Sequence, residues 1–437
     1  MWGGVTMKNC FRALGLGLIV TLAGTACLPG AGEQKIGGTV HVLAVWGGSE
    51  QASFMAMVKP FEDQTGIHVA YEGTRDASAV LTTRLSAGNP PDVAGLPGPG
   101  QMIDWAKKGQ LKPIDSTLDM GQLQSQYSQD WIKLGAVNGK QYGVFIKAAL
   151  KGLVWYDPKV WAQHNFTVPK SWQDLQTLIP TMQATGIAPF CIAVESGSSS
   201  GWPATDWVEN ILLRQSGPDK YDQWTSGKLK FTSPEVKQAF QTFGQIVNTP
   251  GVVYGGKQAI LSTNFGDGGT PLFSNPPKCY MHQQGSFMTD FFVKANPALK
   301  PNEDFKYFMF PTINPSYSSS VEVAGDLFGM FKDTPQARQL MKYLTTPQAQ
   351  SIWVKRGGGL SPNKSVSPND YPDPLSRELG QSLANARTPR FDASDLDPGP
   401  LADAYNSAMV KYINNPGSLD SILASLDQVQ ASSFGTS

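Results

Sequence analysis

Residues Glu195–Asn210 read ESGSSSGWPATDWVEN. Gly197–Gly201 fits G-x-S-x-G, the pattern around a hydrolase's nucleophilic serine. Such a serine needs a strained strand–turn–helix elbow, an oxyanion hole and a histidine partner. Of the four histidines, His41, His68, His164 and His282, only His282 follows Ser199. The same Ser/Gly run also reads as a plain flexible loop. The next residues, WPATDW, bring two tryptophans and an aspartate. Aromatic planes beside carboxylates suit a ring of hydroxyls, which presents apolar faces and polar edges. Trp202 and Asp206 lie four apart and share one helix face. An aspartate near a helix start also offsets the helix dipole, which is the plainer reading of Asp206. Trp207 points elsewhere and reads as core.

Other candidates lie at the ends of apolar, β-rich runs. Trp46, Ser49, Glu50 and Gln51 follow the first such run, Arg75 and Asp76 the second, Leu96 and Pro97 the third. A solvated turn and a surface ion pair are the alternatives for the first two groups. Lys147 and Lys151 are the two ends of KAALK, with Lys147 favoured as the one that reaches a ligand. Gly325 and Asp326 lie within VEVAGDLFGMF, and Arg356 precedes a glycine triplet. The histidines show no metal-ligand spacing, so no metal is expected. Neither a Walker A motif nor a glycine fingerprint occurs, so no cofactor is expected.

The elements that must position these residues alternate. TVHVLAVW reads as a strand, GGSEQ as a turn, ASFMAMVKPFEDQTG as a helix ended by Gly66, and IHVAYEG as a second strand. A strand–helix–strand unit with a crossover means a parallel sheet, and its carboxyl edge is where open α/β sheets bind ligands. GNPPDV then leads into a third short strand. QYGVFIKAALKGLVWYDP looks like a crossing between two lobes, and VEVAGDLFGMF like a return. VPKSWQDLQTLIPTMQATG is a helix capped by Ser171. The chain of 437 residues is long for one core. Its formal net charge is zero and its charged fraction 16%, which gives no support for nucleic-acid binding.

Lys8 and Arg12, followed by the short apolar run Ala13–Ala23, form a targeting segment rather than a membrane span. Small residues directly before Cys27 resemble a bacterial lipobox, with Gly24 where Leu is usual. An ordinary secretory signal is the alternative. Residues 1–26 are therefore read as a signal peptide, Cys27 as the lipidated residue and 27–38 as a tether. Cys191 and Cys279 remain in the exported body. One disulfide between them is expected, with two buried free thiols as the alternative.

FEDQTGIHVAYEG, GNPPDV, LKPID, GKQYGV, WYDPKVWAQHNFTVPKSWQDL, LFSNPPKCYMHQQGSF and QARQLMKYLTTPQAQSIWVKRGGGLSPNK occur in this order. Together they resemble the carbohydrate-binding solute receptors of ABC importers, over essentially the whole chain. KAALKGLVWYDP and GWPATDWVENILLR look most like the branch that binds α-glucosides such as maltose and trehalose. The resemblance implies an α/β, two-lobed periplasmic-binding-protein fold with an interlobe ligand cleft and several hinge crossings. Lobe 1 is expected at 39–147 with 325–356, and lobe 2 at 148–324 with 357–437. It further implies that the loop after the first strand holds hydroxyls. HQQGSF matches a Gly-small-aromatic motif, which makes Phe287 an aromatic platform and Gln284 its polar neighbour. Asp326 and Arg356 would reach the ligand, and Asp392 and Asp395 would cover the cleft. The expected protein is an extracytoplasmic, lipid-anchored monomer that hands a sugar to a permease and does no chemistry. A polyol or other polar solute, or a secreted glycosidase activity, are the alternatives.

Overall fold

The computed structural model describes residues 35–435; the expected signal peptide and Cys27 lie outside the described residues. Twelve strands lie among the described residues. They are β1 (Thr39–Ala44), β2 (His68–Gly73), β3 (Val93–Leu96), β4 (Ala136–Val137), β5 (Lys140–Gln141), β6 (Gly143–Leu150), β7 (Leu153–Tyr156), β8 (Ala188–Phe190), β9 (Cys279–Gln284), β10 (Lys306–Met309), β11 (Ser320–Met330) and β12 (Thr388–Phe391).

A six-stranded sheet runs β12-β11-β3-β1-β2, with β6 also paired to β11. β1 is parallel to both β2 and β3, as the strand–helix–strand pattern requires. The helix between β1 and β2, Gly48–Thr65, buries Phe54, Met57, Val58 and Phe61 and stops at Gly66 (φ 71°). It starts at Gly48, so the expected turn over 47–51 is the first turn of this helix. That puts Glu50 where the positive end of the helix dipole favours a carboxylate.

A four-stranded sheet, β10-β7-β9-β8, forms the second half. The chain leaves the first sheet through Lys151 and Gly152, between β6 and β7, and returns along β11. At Gly152 (φ 64°) an added Cβ would lie 2.1 Å from Asn210 Oδ1, so only glycine fits this hinge turn. β12, late in the chain, pairs with β11 in the first sheet. Two further glycines seat the segment after β12. A Cβ on Gly98 would meet the Asp395 carbonyl oxygen at 2.3 Å, and one on Gly100 the Asp397 carbonyl oxygen at 1.9 Å.

Cys191 and Cys279 form the expected disulfide, 88 residues apart, beside the paired strands β8 and β9. Among the described residues no helix is long and apolar enough to cross a membrane. A cross-link closing a long loop restricts the unfolded chain. Replacing both cysteines by serine should lower unfolding stability by roughly 2–5 kcal/mol, read from the urea midpoint. An unchanged midpoint would contradict this role.

Candidate ligand-binding site

A cavity of about 180 Å³ opens between the two sheets. The chain reaches it from the carboxyl ends of β1 and β3, the crossing strands β6 and β11, the start of helix Trp202–Ser216, and the segment 392–406. This is where an open α/β sheet is expected to present its ligand edge.

One wall is an ion-paired chain. Glu50 accepts a hydrogen bond from Lys147 Nζ at 2.7 Å through Oε1, and one from Arg75 at 2.6 Å through Oε2. Burial alone would raise the Glu50 carboxyl, but the two cations outweigh it and hold it below the usual range. Lys147 faces Asp326 across the β6–β11 ladder, Nζ to Oδ2 3.7 Å. A bulge follows Asp326 in that ladder. Such bulges re-aim side chains. Asp326 keeps 20% side-chain exposure and makes no closer polar contact with a described residue. Burial, together with the Glu50 charge, pushes its carboxyl up.

The opposite wall is aromatic. Trp202 packs edge-on to Phe265 at 5.0 Å and lies 6.1 Å from Phe287. Each of these rings already has a cation beside it. Lys151 lies 4.8 Å from the Trp202 centroid, Arg75 4.9 Å from Phe265 and Lys147 5.9 Å from Phe287.

Beneath the cavity lies a cluster of buried charges. Lys151 Nζ sits 2.8 Å from Asp206 and 2.9 Å from Asp392. Asp206, Glu322 and Asp392 come within 4.8 Å of one another, which is cation-site spacing, and the cation against the two aspartates is Lys151. Asp392 also accepts from Ser394 Oγ at 2.8 Å, while Glu209 accepts from the backbone of Ala393 at 2.6 Å. Burial would raise Asp392, but Lys151 holds it low. Burial and the Asp392 charge push Asp206 up to about 8. Glu209, Glu322 and Asp395 lie well above the carboxylate range, first through burial and then through each other's charge.

The cavity thus gathers Trp46, Glu50, Arg75, Lys147, Trp202, Phe287, Asp326, Asp392 and Asp395 from the sequence-derived candidates. Trp46 is 1% exposed and packs against Phe328 and Trp353, so it offers little face to a ligand. Six candidates lie elsewhere. Ser49 bonds Asp290, and Gln51 sits one residue beyond Glu50 on the helix and off the cavity. Asp76 accepts from the Ser198 N–H at 3.0 Å. Asp206 is sealed under the cavity because its helix is buried along almost its whole length. Gln284 folds back on its own chain, its Oε1 accepting from the Gly285 N–H at 2.8 Å. Arg356 donates to Ser53 Oγ at 3.1 Å.

Lys151, the less favoured of the two lysines, lines the cavity as Lys147 does. Phe265, Gln101, Asp397, Asp403 and Asn406 were not anticipated. Asp403 and Asn406 carried one usable signal, a polar pair three apart on a helix that is otherwise half apolar. The serine motif forms its own turn, with Ser200 Oγ donating to the Gly197 carbonyl at 2.7 Å. His282 is buried, its Nδ1 bonded to the Cys191 carbonyl at 3.0 Å, and it does not line the cavity that Ser199 lines. A second, larger cavity of about 780 Å³ is lined by Trp131, Lys133, Tyr371 and Arg387. Its carboxylates are Asp130 and Asp222, the latter paired with Arg390.

Residues 47–351 match the model of the bacterial extracellular solute-binding protein family. The chain is 39% identical to the osmoprotective compounds-binding protein GgtB of Synechocystis sp., covering 89% of this chain and 92% of that protein. It is 36% identical to the alpha-glucosides-binding periplasmic protein AglE of Rhizobium meliloti, covering 89% of this chain and 86% of that protein. A solved chitin oligosaccharide binding protein shares the fold with a TM-score of 0.78 at 18% identity, over 91% of this chain and 99% of that chain. These findings bear out the two-lobed α/β fold and the family resemblance read from the sequence.

The buried carboxyls have a consequence for stability. Folded Asp206 keeps its proton up to about pH 8, whereas in the unfolded chain it ionises near an ordinary aspartate value. Between those limits the folded state binds more protons, so its stability falls as pH rises. The melting temperature should drop from pH 6 to pH 9, with a shallower slope in Asp206→Asn. A melting temperature that rises over that range would contradict the assignment.

Proposed function

Given that this chain belongs to the bacterial extracellular solute-binding proteins, we propose that it is a sugar receptor of an ABC importer. It captures a mono- or oligosaccharide, an α-glucoside such as maltose or trehalose, and delivers it intact to a permease. The observation that carries this reading is the cavity's composition. The aromatic residues Trp202, Phe265 and Phe287 line the cavity with the partly exposed carboxylate of Asp326, while Lys147 and Arg75 share the Glu50 carboxylate and Lys151 pairs with Asp206 and Asp392. An uncharged ring of hydroxyls fits such a surface, stacking on the rings and bonding the carboxylates. The name of AglE, an alpha-glucosides-binding protein, supports the α-glucoside. The name of GgtB, for osmoprotective compounds, favours a second reading in which a small polar solute such as a polyol takes the same place.

In this reading residues 39–147 with 325–356 form one lobe and 148–324 with 357–437 the other, and β12 rejoins the first sheet. The lobes close on ligand because the closed form binds it more tightly than the open one. The protein works outside the cytoplasm as a monomer held by a lipid on Cys27. It does no chemistry: Ser199 has no histidine partner, and no cofactor or metal takes part.

Charged hydrogen bonds are worth about 1.5–3 kcal/mol each. Phe287→Ala and Asp326→Ala should therefore each weaken disaccharide binding tenfold or more in calorimetry, with the fold intact by circular dichroism. Unchanged affinity in both variants would overturn the assignment. Ligand that binds only the folded state raises the melting temperature. Maltose or trehalose should therefore raise it more than sorbitol or glycerol does. The reverse order would favour the polyol.

A further inference from the structure

The carboxyls below the cavity outnumber their cations. Asp206 and Glu209 on the helix Trp202–Ser216, Glu322 on β11 and Asp392 after β12 are each 2% exposed or less. Two cations answer these four acids: Lys151 at the crossing turn, and the buried Arg214, which lies near Glu322. Asp395 and Asp397 add carboxyls on the Asp392 segment. Tyr221 brings a hydroxyl bonded to the Phe391 carbonyl at 3.0 Å, and Tyr405 a buried hydroxyl from the late helix Gly399–Asn414. None of these adds positive charge. Unpaired ionised carboxyls in a dry interior are prohibitively costly, so the cluster holds protons.

Geometry places one of these protons. Asp392 has the Glu209 and Asp206 carboxyls as hydrogen-bond neighbours, besides Lys151 and Ser394, which donate to it. Two carboxylates cannot bond each other, since neither has a hydrogen to donate. The Glu209–Asp392 contact therefore carries a proton. One Glu322 oxygen has no hydrogen-bond partner among the described residues, which costs a carboxylic acid far less than a carboxylate. The cluster is also a wall of the ligand cavity, lined by Lys151, Asp392, Asp395 and Asp397. Solvent against that wall favours ionised carboxyls, and a sugar that displaces the solvent favours neutral ones. Asp206 and Glu209 lie behind the wall and off the cavity, where no sugar hydroxyl takes the place of the lost water. None of the four histidines lines the cavity, so no imidazole there titrates in their stead.

We infer that ligand capture is linked to proton uptake by the Asp206–Glu209–Asp392 cluster, so that the receptor binds its solute more tightly in a more acidic medium. This rests on the α-glucoside reading. The sign follows from linkage. The liganded protein, its cavity wall dry, binds more protons than the free protein, so affinity falls as pH rises. The fall lies between an ordinary aspartate value and about 8, where folded Asp206 gives up its proton. Titration of Asp326 alone gives the opposite slope, because a sugar hydroxyl bonds its ionised form more strongly.

The test is calorimetric titration with maltose and trehalose at pH 6, 7 and 8, each in two buffers of different ionisation heat, for wild type, Glu209→Gln and Asp206→Asn. Wild-type affinity should fall about threefold or more per pH unit, the slope of half a proton taken up. The measured enthalpy should differ between the two buffers, which reports the same uptake directly. Glu209→Gln donates as the protonated acid does, so it should flatten the slope and bind at pH 8 as tightly as wild type binds at pH 6. Asp206→Asn should flatten the slope in the same direction. A merely structural role for these acids would weaken binding at every pH and leave the slope as it is. Wild-type affinity that is constant or rises from pH 6 to pH 8 overturns the linkage and leaves the sugar reading standing. So does a slope retained in both variants. Wild type that binds neither sugar at any pH overturns the α-glucoside reading and the linkage with it.

Discussion

The structure depends on one buried ammonium. Lys151 sits at the turn between β6 and β7, where the chain passes from one sheet to the other, and its Nζ lies between Asp206 and Asp392. Those aspartates come from a helix joined to the second sheet and from the segment that follows β12 on the first. A single charge thus ties the hinge, the second half and the late chain together below the ligand cavity. Taking these groups out of water is costly, and the arrangement survives only because each partner is bonded. Remove the ammonium and two aspartates face each other unpaired. Its value is therefore in fixing one geometry rather than in adding stability.

The same economy of charge shapes the cavity above. Lys151, Arg75 and Lys147 each lie beside an aromatic ring and each answer a carboxylate. The rings lie beside cations that are already ion-paired, Arg75 and Lys147 to the one carboxylate of Glu50 and Lys151 to Asp206 and Asp392. What remains is aromatic surface together with the partly exposed Asp326. A charged solute gains little here, while an uncharged one with many hydroxyls can use both features. The serine-rich turn at Gly197–Gly201 serves the frame: Asp76 accepts from the Ser198 N–H.

Much of this was legible in the sequence because the signals were local. Periodicity located β1, β2, β3 and β11, and glycine stops ended the first helix at Gly66. Strand ends pointed to Glu50 and Arg75, and the crossing segments to Lys147 and Asp326, and all four line the cavity. Two cysteines in an exported chain pointed to their bridge. What escaped depended on depth and on distant contacts. Asp206 and Trp202 share a helix face, yet Trp202 meets the cavity and Asp206 is sealed below it, since the helix is enclosed along nearly its whole length. Asp76 and Arg356 looked free for ligand, but Ser198 and Ser53, far away in sequence, claim them. Asn406 offered only its spacing from Asp403, because the docking of the late helix against Gly201 brings it to the cavity.

The most direct test is a crystal structure of the wild-type protein grown with whichever of maltose and trehalose binds it more tightly. The sugar should lie between the sheets, with one ring against Trp202 and Phe287, hydroxyls on Asp326, and Lys151 still between Asp206 and Asp392. A sugar found instead in the larger cavity beside Trp131 and Tyr371, or between the sheets without contact to Asp326 or the aromatic wall, would contradict the account.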